Sequence, residues 1–103
     1  MKIFLDTAEI DEIRIAARWG ILDGVTTNPS LYAKVGGSYE DILKEICRLT
    51  TGPVSAEVVA SDVDGMLREG RAFAKLARNI VVKVPMSEEG LEAISRFALS
   101  FRA

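Results

Sequence analysis

Hydrophobic and polar positions along the chain alternate between two periods. Four short apolar runs rich in β-branched residues read as strands. They are Lys2-Ile3-Phe4-Leu5, the Ile21-to-Thr26 run, Val54-Ser55-Ala56-Glu57-Val58-Val59, and Asn79-Ile80-Val81-Val82-Lys83-Val84-Pro85-Met86. Between them apolar residues recur three or four apart, as on one face of a helix. The first helix is expected over Glu9 to Arg18, with Ile10, Ile13 and Ala17 inward and Gly20 as its C-cap. The second carries Ile42, Ile46 and Leu49 on one face. Ser38 followed by Asp41 resembles a capping box at its start. The third is expected to start at a Ser61 cap and bury Val63, Met66, Gly70, Phe73 and Ala77. The fourth starts at Ser87 and shows a stripe of Leu91, Ile94, Ala98 and Phe101. Ser30 to Gly37 reads as a loop.

Strands alternating with helices of this length predict right-handed βαβ units and a parallel sheet. The 103 residues suit one domain over 1–103, and 49% hydrophobic content is enough for a packed core. Net charge is -2 with both signs interspersed, which gives no footprint for nucleic acid or an anionic membrane. The chain has no histidine, so histidine triads and histidine-ligated metals are excluded. Its single cysteine, Cys47, permits no intrachain disulfide and reads as a small buried hydrophobe. No leader-like segment precedes the first strand and no apolar run would span a bilayer, so a reducing, cytoplasmic setting is expected.

The strands carry the candidate chemistry. Each delivers a polar residue at or near its C-terminal end: Asp6, Asn28, Glu57 and Lys83. In parallel α/β proteins that rim is where ligands bind. A lysine among valines loses hydration, and a desolvated neutral amine is a nucleophile toward carbonyls. Two carboxylates beside it could relay protons while a carbinolamine forms and dehydrates. Each residue also has an ordinary reading. Asp6 could cap a helix, Asn28 could serve the turn before Pro29, and Glu57 could pair with Lys83. Lys83 itself could lie on an edge strand and reach water along its own stem.

Phe4-Leu5-Asp6-Thr7-Ala8, Gly24-Val25-Thr26-Thr27-Asn28-Pro29-Ser30, Val54-Ser55-Ala56-Glu57-Val58 and Val81-Val82-Lys83-Val84-Pro85-Met86 together resemble the transaldolase family. The likeness is to its short-chain branch, which includes fructose-6-phosphate aldolase-like enzymes, and it runs from Met1 to about Ile94. It implies an α/β fold, here the parallel (βα)4 half of a transaldolase-type (βα)8 TIM barrel. It implies that Lys83 is the Schiff-base lysine and that Asp6 is the acid/base of carbon–carbon cleavage. Glu57 would hold the catalytic water, and Asn28 and Thr26 would bind the dihydroxyacetone moiety. The aldolase branch tends to have glutamine at the position of Glu57, so the resemblance favours transaldolase. The implied reaction moves a three-carbon ketol unit between sugar phosphates of the pentose phosphate pathway, with no metal or organic cofactor.

The same resemblance implies what is missing: four further βα units, including the residues that hold substrate phosphate. Ser95 to Ala103 does not read like the family's continuation. A half-barrel would have two open edges, so a homo-oligomer is expected. Two alternatives stand beside the enzyme: a non-catalytic half-barrel that only self-associates, and a receiver-like binding module. An open sheet with helices on both faces is the competing architecture.

Overall fold

A computed structural model describes residues 1–30 and 36–100, the side chain of Ser100 apart. The chain alternates β1 (Phe4–Asp6), α1 (Ile10–Trp19), β2 (Gly24–Thr26), α2 (Tyr39–Leu49), β3 (Val54–Glu57), α3 (Val63–Ala74), β4 (Ile80–Lys83) and α4 (Glu88–Ser100). The strands form one parallel sheet in the order β1-β2-β3-β4. This is the (βα)4 half of a TIM barrel, and every strand is shorter than its apolar run.

Alternation within each strand sorts the two faces. Val25, Val54 and Ala56 are fully buried, and they pack with Ile13, Leu43, Ile46, Met66, Phe73 and Ala93 in one cluster. That cluster draws on all four helices, so all four lie on the same face of the sheet. Full burial of a side chain such as Ile13, Leu43 or Ile46 contributes roughly 1.5–3 kcal/mol each. The opposite face carries Phe4, Asp6, Val81 and Lys83 and is open to solvent. Sequential strand order with one covered face excludes the two competing architectures. A doubly wound sheet, receivers included, places helices on both faces and β1 inside the sheet.

The helix ends follow local chemistry. Gly20 closes α1 at φ 74, a left-handed conformation that glycine reaches without steric cost. Ser38 caps α2 by accepting from the Asp41 amide at 3.4 Å. Ser87 accepts from the Gly90 amide at 3.0 Å at the start of α4. The α3 cap is a correction: Asp62, not Ser61, is the N-cap, and its carboxylate accepts from the Gly65 amide at 3.0 Å. Both residues are good caps and they are adjacent, so spacing alone did not choose between them.

One helix face is wider than expected and another differs. In α2 the expected Ile42, Ile46 and Leu49 all pack into the core cluster, and Leu43 joins them fully buried. In α4 the inward residues are Gly90, Ala93 and Phe97, while Leu91 and Ile94 are 54% and 52% exposed. The cause is the seat on α3. Gly70 has no side chain, and a Cβ there would come within 2.4 Å of the Phe97 ring, so Phe97 enters where only glycine leaves room. The expected loop began at Ser30, which is helical together with Pro29; residues 31–35 of that loop and Phe101 lie outside the described residues.

At the N-terminal ends of the strands, side chains tie the sheet. Asp23 accepts from the Ile3 amide at 2.6 Å and its own amide donates to the Ile3 carbonyl at 2.8 Å. The Asn79 amide group donates to the carbonyls of Thr50 at 3.0 Å and Gly52 at 2.9 Å, holding the end of α2 against the start of β4. Among the described residues no helix is long and apolar enough to cross a membrane.

Candidate active site

The open face of the sheet brings the expected polar residues to its C-terminal end in two pairs. Asp6 and Thr26 are register partners on β1 and β2, and the Thr26 hydroxyl donates to Asp6 Oδ1 at 3.0 Å. Glu57 and Lys83 are register partners on β3 and β4, with Lys83 Nζ 3.6 Å from Glu57 Oε2. The two pairs do not share one rung. Val25 pairs with Val54, so by continuation Thr26 is level with Ser55, two residues short of Glu57. Asn28 follows β2 and is half-buried, and its side-chain oxygen accepts from the Ser30 hydroxyl.

Lys83 is not buried among valines. The strand order makes β4 an edge, and the Lys83 side chain is 50% exposed. Val82 and Val84, its chain neighbours, belong to the hydrophobic cluster on the helix side, while Lys83 shares the open face with Val81, itself 52% exposed. The apolar run predicted a strand correctly, but alternation puts its valines and its lysine on different faces. Two of the ordinary readings therefore hold in this chain: Lys83 lies on an edge strand and pairs with Glu57. An ion pair this exposed contributes little to stability, so stability does not account for placing it there. Asp6 is no cap either. The Thr7 hydroxyl, not Asp6, accepts from the Glu9 amide at 3.0 Å.

Sequence reasoning passed over the residues that hold Glu57. Tyr39, the first residue of α2, points its hydroxyl at the Glu57 amide, which donates to it at 3.1 Å. Val58 N donates to the Lys83 carbonyl at 3.1 Å. The Glu69 carboxylate on α3 then accepts from the amides of Val59 at 3.0 Å and Ala60 at 2.9 Å. Four successive backbone donors leaving β3 are thus satisfied in turn. A cavity of about 400 Å³ beside them is lined by Pro29, Tyr39, Glu57, Val59, Glu69 and Phe73 among others. Neither Tyr39 nor Glu69 stands out in a periodicity, because each acts on a backbone amide distant in sequence. Among the described residues no group of three or more carboxylates or thiols is placed to hold a metal.

A parallel (βα)4 sheet with a lysine–carboxylate pair and a second carboxylate at its C-terminal end defines a class: half of a TIM barrel with an amine and two carboxylates on its rim. Comparison with known proteins narrows it. The profile of the family Transaldolase/Fructose-6-phosphate aldolase matches residues 3–99, and the chain belongs to that family. The match continues past Ile94 through Leu99, further than the motifs alone suggested. The chain is 58% identical over 94 residues to a probable transaldolase of Desulforapulum autotrophicum, covering 91% of the chain and 44% of that relative. A probable transaldolase of Roseiflexus sp. (strain RS-1) is 59% identical over 99 residues, with 95% and 46% covered. One from Clostridium perfringens is 55% identical over 98 residues, again with 95% and 46% covered. The chain thus spans under half the length of these relatives.

Proposed function

We propose that the chain carries the imine-forming portion of a transaldolase-type site, which transfers a dihydroxyacetone unit from a ketose phosphate to an aldose phosphate in the pentose phosphate pathway. The observation that carries this reading is the Lys83–Glu57 pair, set on adjacent strands at the end of the sheet that also presents Asp6 and Thr26. In this scheme Lys83 passes a proton to Glu57 and its freed amine attacks the ketone carbon; the carbinolamine then loses water to give an iminium, with Glu57 relaying protons through a bound water. Asp6 then takes the proton of the β-hydroxyl. The adjacent carbon–carbon bond breaks, its electron pair moves into the iminium to form an enamine, and an aldehyde leaves. The enamine attacks the acceptor aldehyde, Asp6 returns its proton to the new alkoxide, and water hydrolyses the regenerated iminium to release the product ketose and the Lys83 amine. Thr26 and Asn28 hold the hydroxyls of the three-carbon unit. No metal or organic cofactor enters the scheme, and the setting is cytoplasmic.

Phosphate anchoring lies outside this chain's four units. Remote binding energy normally raises the rate of the chemical step, so turnover by the chain alone is expected to be weak, with little preference for phosphorylated sugars. The wall opposite Lys83 is supplied by further strands, and a homo-oligomer of two chains would provide eight. A second reading, a half-barrel that only self-associates, is favoured by the exposure of Lys83. Borohydride trapping separates the two. With dihydroxyacetone or fructose 6-phosphate, a reduced adduct should map to Lys83 by mass spectrometry and disappear in Lys83→Ala. Labelling of Lys83 no greater than that of surface lysines would leave only the second reading.

A further inference from the structure

The ladder between β2 and β3 is short, with Val25 opposite Val54 as its register pair. Above it the strands are joined mainly through side chains. The Thr27 amide donates to Ser55 Oγ at 2.9 Å, and the Thr27 hydroxyl donates to the Ser55 carbonyl. Thr27 is fully buried, and its hydroxyl also lies 3.5 Å from the Tyr39 hydroxyl. Its one proton is directed at Ser55, so in the contact with Tyr39 the phenol is the donor. The same phenol oxygen accepts from the Glu57 amide at 3.1 Å. The Tyr39 ring is fixed edge-on against Phe73, with centroids 5.3 Å apart at 66°. One phenol therefore touches Thr27, the residue that follows β2, and the backbone of the residue that pairs with Lys83.

We propose that Tyr39 is a positioning residue that keys the Glu57–Lys83 pair to the Asp6–Thr26–Asn28 side of the site. The inference rests on reading Lys83 and Glu57 as the reacting pair. It concerns how that pair is aligned, because beyond the short ladder and the Thr27–Ser55 bonds the Glu57 end of β3 needs its own tie to keep reacting atoms in register. Tyr39 acts through the Glu57 backbone and touches no reacting atom. A phenylalanine at this position would keep the ring contact with Phe73 and lose the hydroxyl contacts with Thr27 and Glu57.

The test compares four versions of the 103-residue chain: wild type, Tyr39→Phe, Glu57→Gln and the double variant. Trace labelling with acetic anhydride, read by mass spectrometry, reports the availability of each lysine amine without requiring ketone chemistry. Losing the Glu57 carboxylate frees the Lys83 amine, so Glu57→Gln should raise its labelling relative to the other lysines by roughly twofold to fivefold, the range of a solvent-exposed ion pair. Tyr39→Phe should raise it in the same direction. The double variant should label no faster than Glu57→Gln, because both changes act on one contact. Deuterium exchange at the Glu57 amide should also be at least about tenfold faster in Tyr39→Phe, as expected when a protecting hydrogen bond is lost. A Tyr39→Phe chain with wild-type labelling of Lys83, or effects that multiply in the double variant, would overturn the inference. So would Glu57→Gln leaving Lys83 unchanged. Borohydride trapping on the same samples judges the imine reading separately: a wild type that forms no Lys83 adduct removes that reading, while the labelling still decides the role of Tyr39.

Discussion

Cys47 lies on α2 with its thiol half-buried, and burial pushes that thiol up from its ordinary value of 9.0. The thiolate is the reactive form, so native Cys47 should alkylate with iodoacetamide at pH 8 at least about tenfold more slowly than the unfolded chain. The rate should climb only as pH passes the ordinary thiol range. Unfolding lowers the value back to the ordinary one, so the group's contribution to stability is complete below that pH. It is lost as pH rises through the raised value. A native rate equal to the unfolded one would refute the burial. Composition suggested a small buried hydrophobe, and the thiol is on a helix as expected but only half-buried. Lys83 differs, because whether a strand's polar face is covered depends on which strands lie beyond it. The run Ile80-Val81-Val82-Lys83 reads alike for an edge strand and an inner one.

The elements form for local reasons, and their ends are the testable part. Asp62 satisfies an amide at the start of α3, so Asp62→Ala should cost about 1 kcal/mol. In a domain of this size that lowers Tm by roughly 4–8 °C. Ser61→Ala should stay within about 0.5 kcal/mol of wild type. A larger loss at Ser61 in a thermal melt would restore it as the cap. Four strands and four helices could be placed from periodicity because every apolar run was bounded by turn or capping residues. The face of α4 could not, and on α2 the width of the face was missed. Leu43 is fully buried beside Ile42, and on α4 the large residues Leu91 and Ile94 lie outward while Gly90 and Ala93 face the core. Hydrophobicity marks residues that some partner covers, and periodicity does not say which partner. The rim of Asp6, Asn28, Glu57 and Lys83 was legible because strand ends and alternation place it. Tyr39 and Glu69 were not, since their contacts are with amides 18 and 9 or 10 residues away.

On the scale of the whole molecule, the unpaired edges β1 and β4 and the outward Leu91 and Ile94 form surfaces that invite another chain. Ile15 and Trp19 on α1 are 41% and 68% exposed. Two copies joined with β4 of one beside β1 of the other would supply eight parallel strands and place both Lys83 residues at one mouth. Light scattering behind size-exclusion chromatography should therefore report a dimer or larger at micromolar concentration. Ile94→Glu, a change at a half-exposed site, should shift it toward monomer without a comparable loss of Tm. A clean wild-type monomer would sink the assembly.

The sequential order of the strands bears on how the chain comes to be folded at all. Each strand pairs with the one made just before it, so every ladder is closed across the segment that directly links its two strands and never by a distant one. Loop-closure entropy is small for such neighbours, and contacts of short sequence separation form fast. A chain emerging from the ribosome can thus join β1 to β2 while β4 is still unsynthesised, and each later unit docks onto a template already in place.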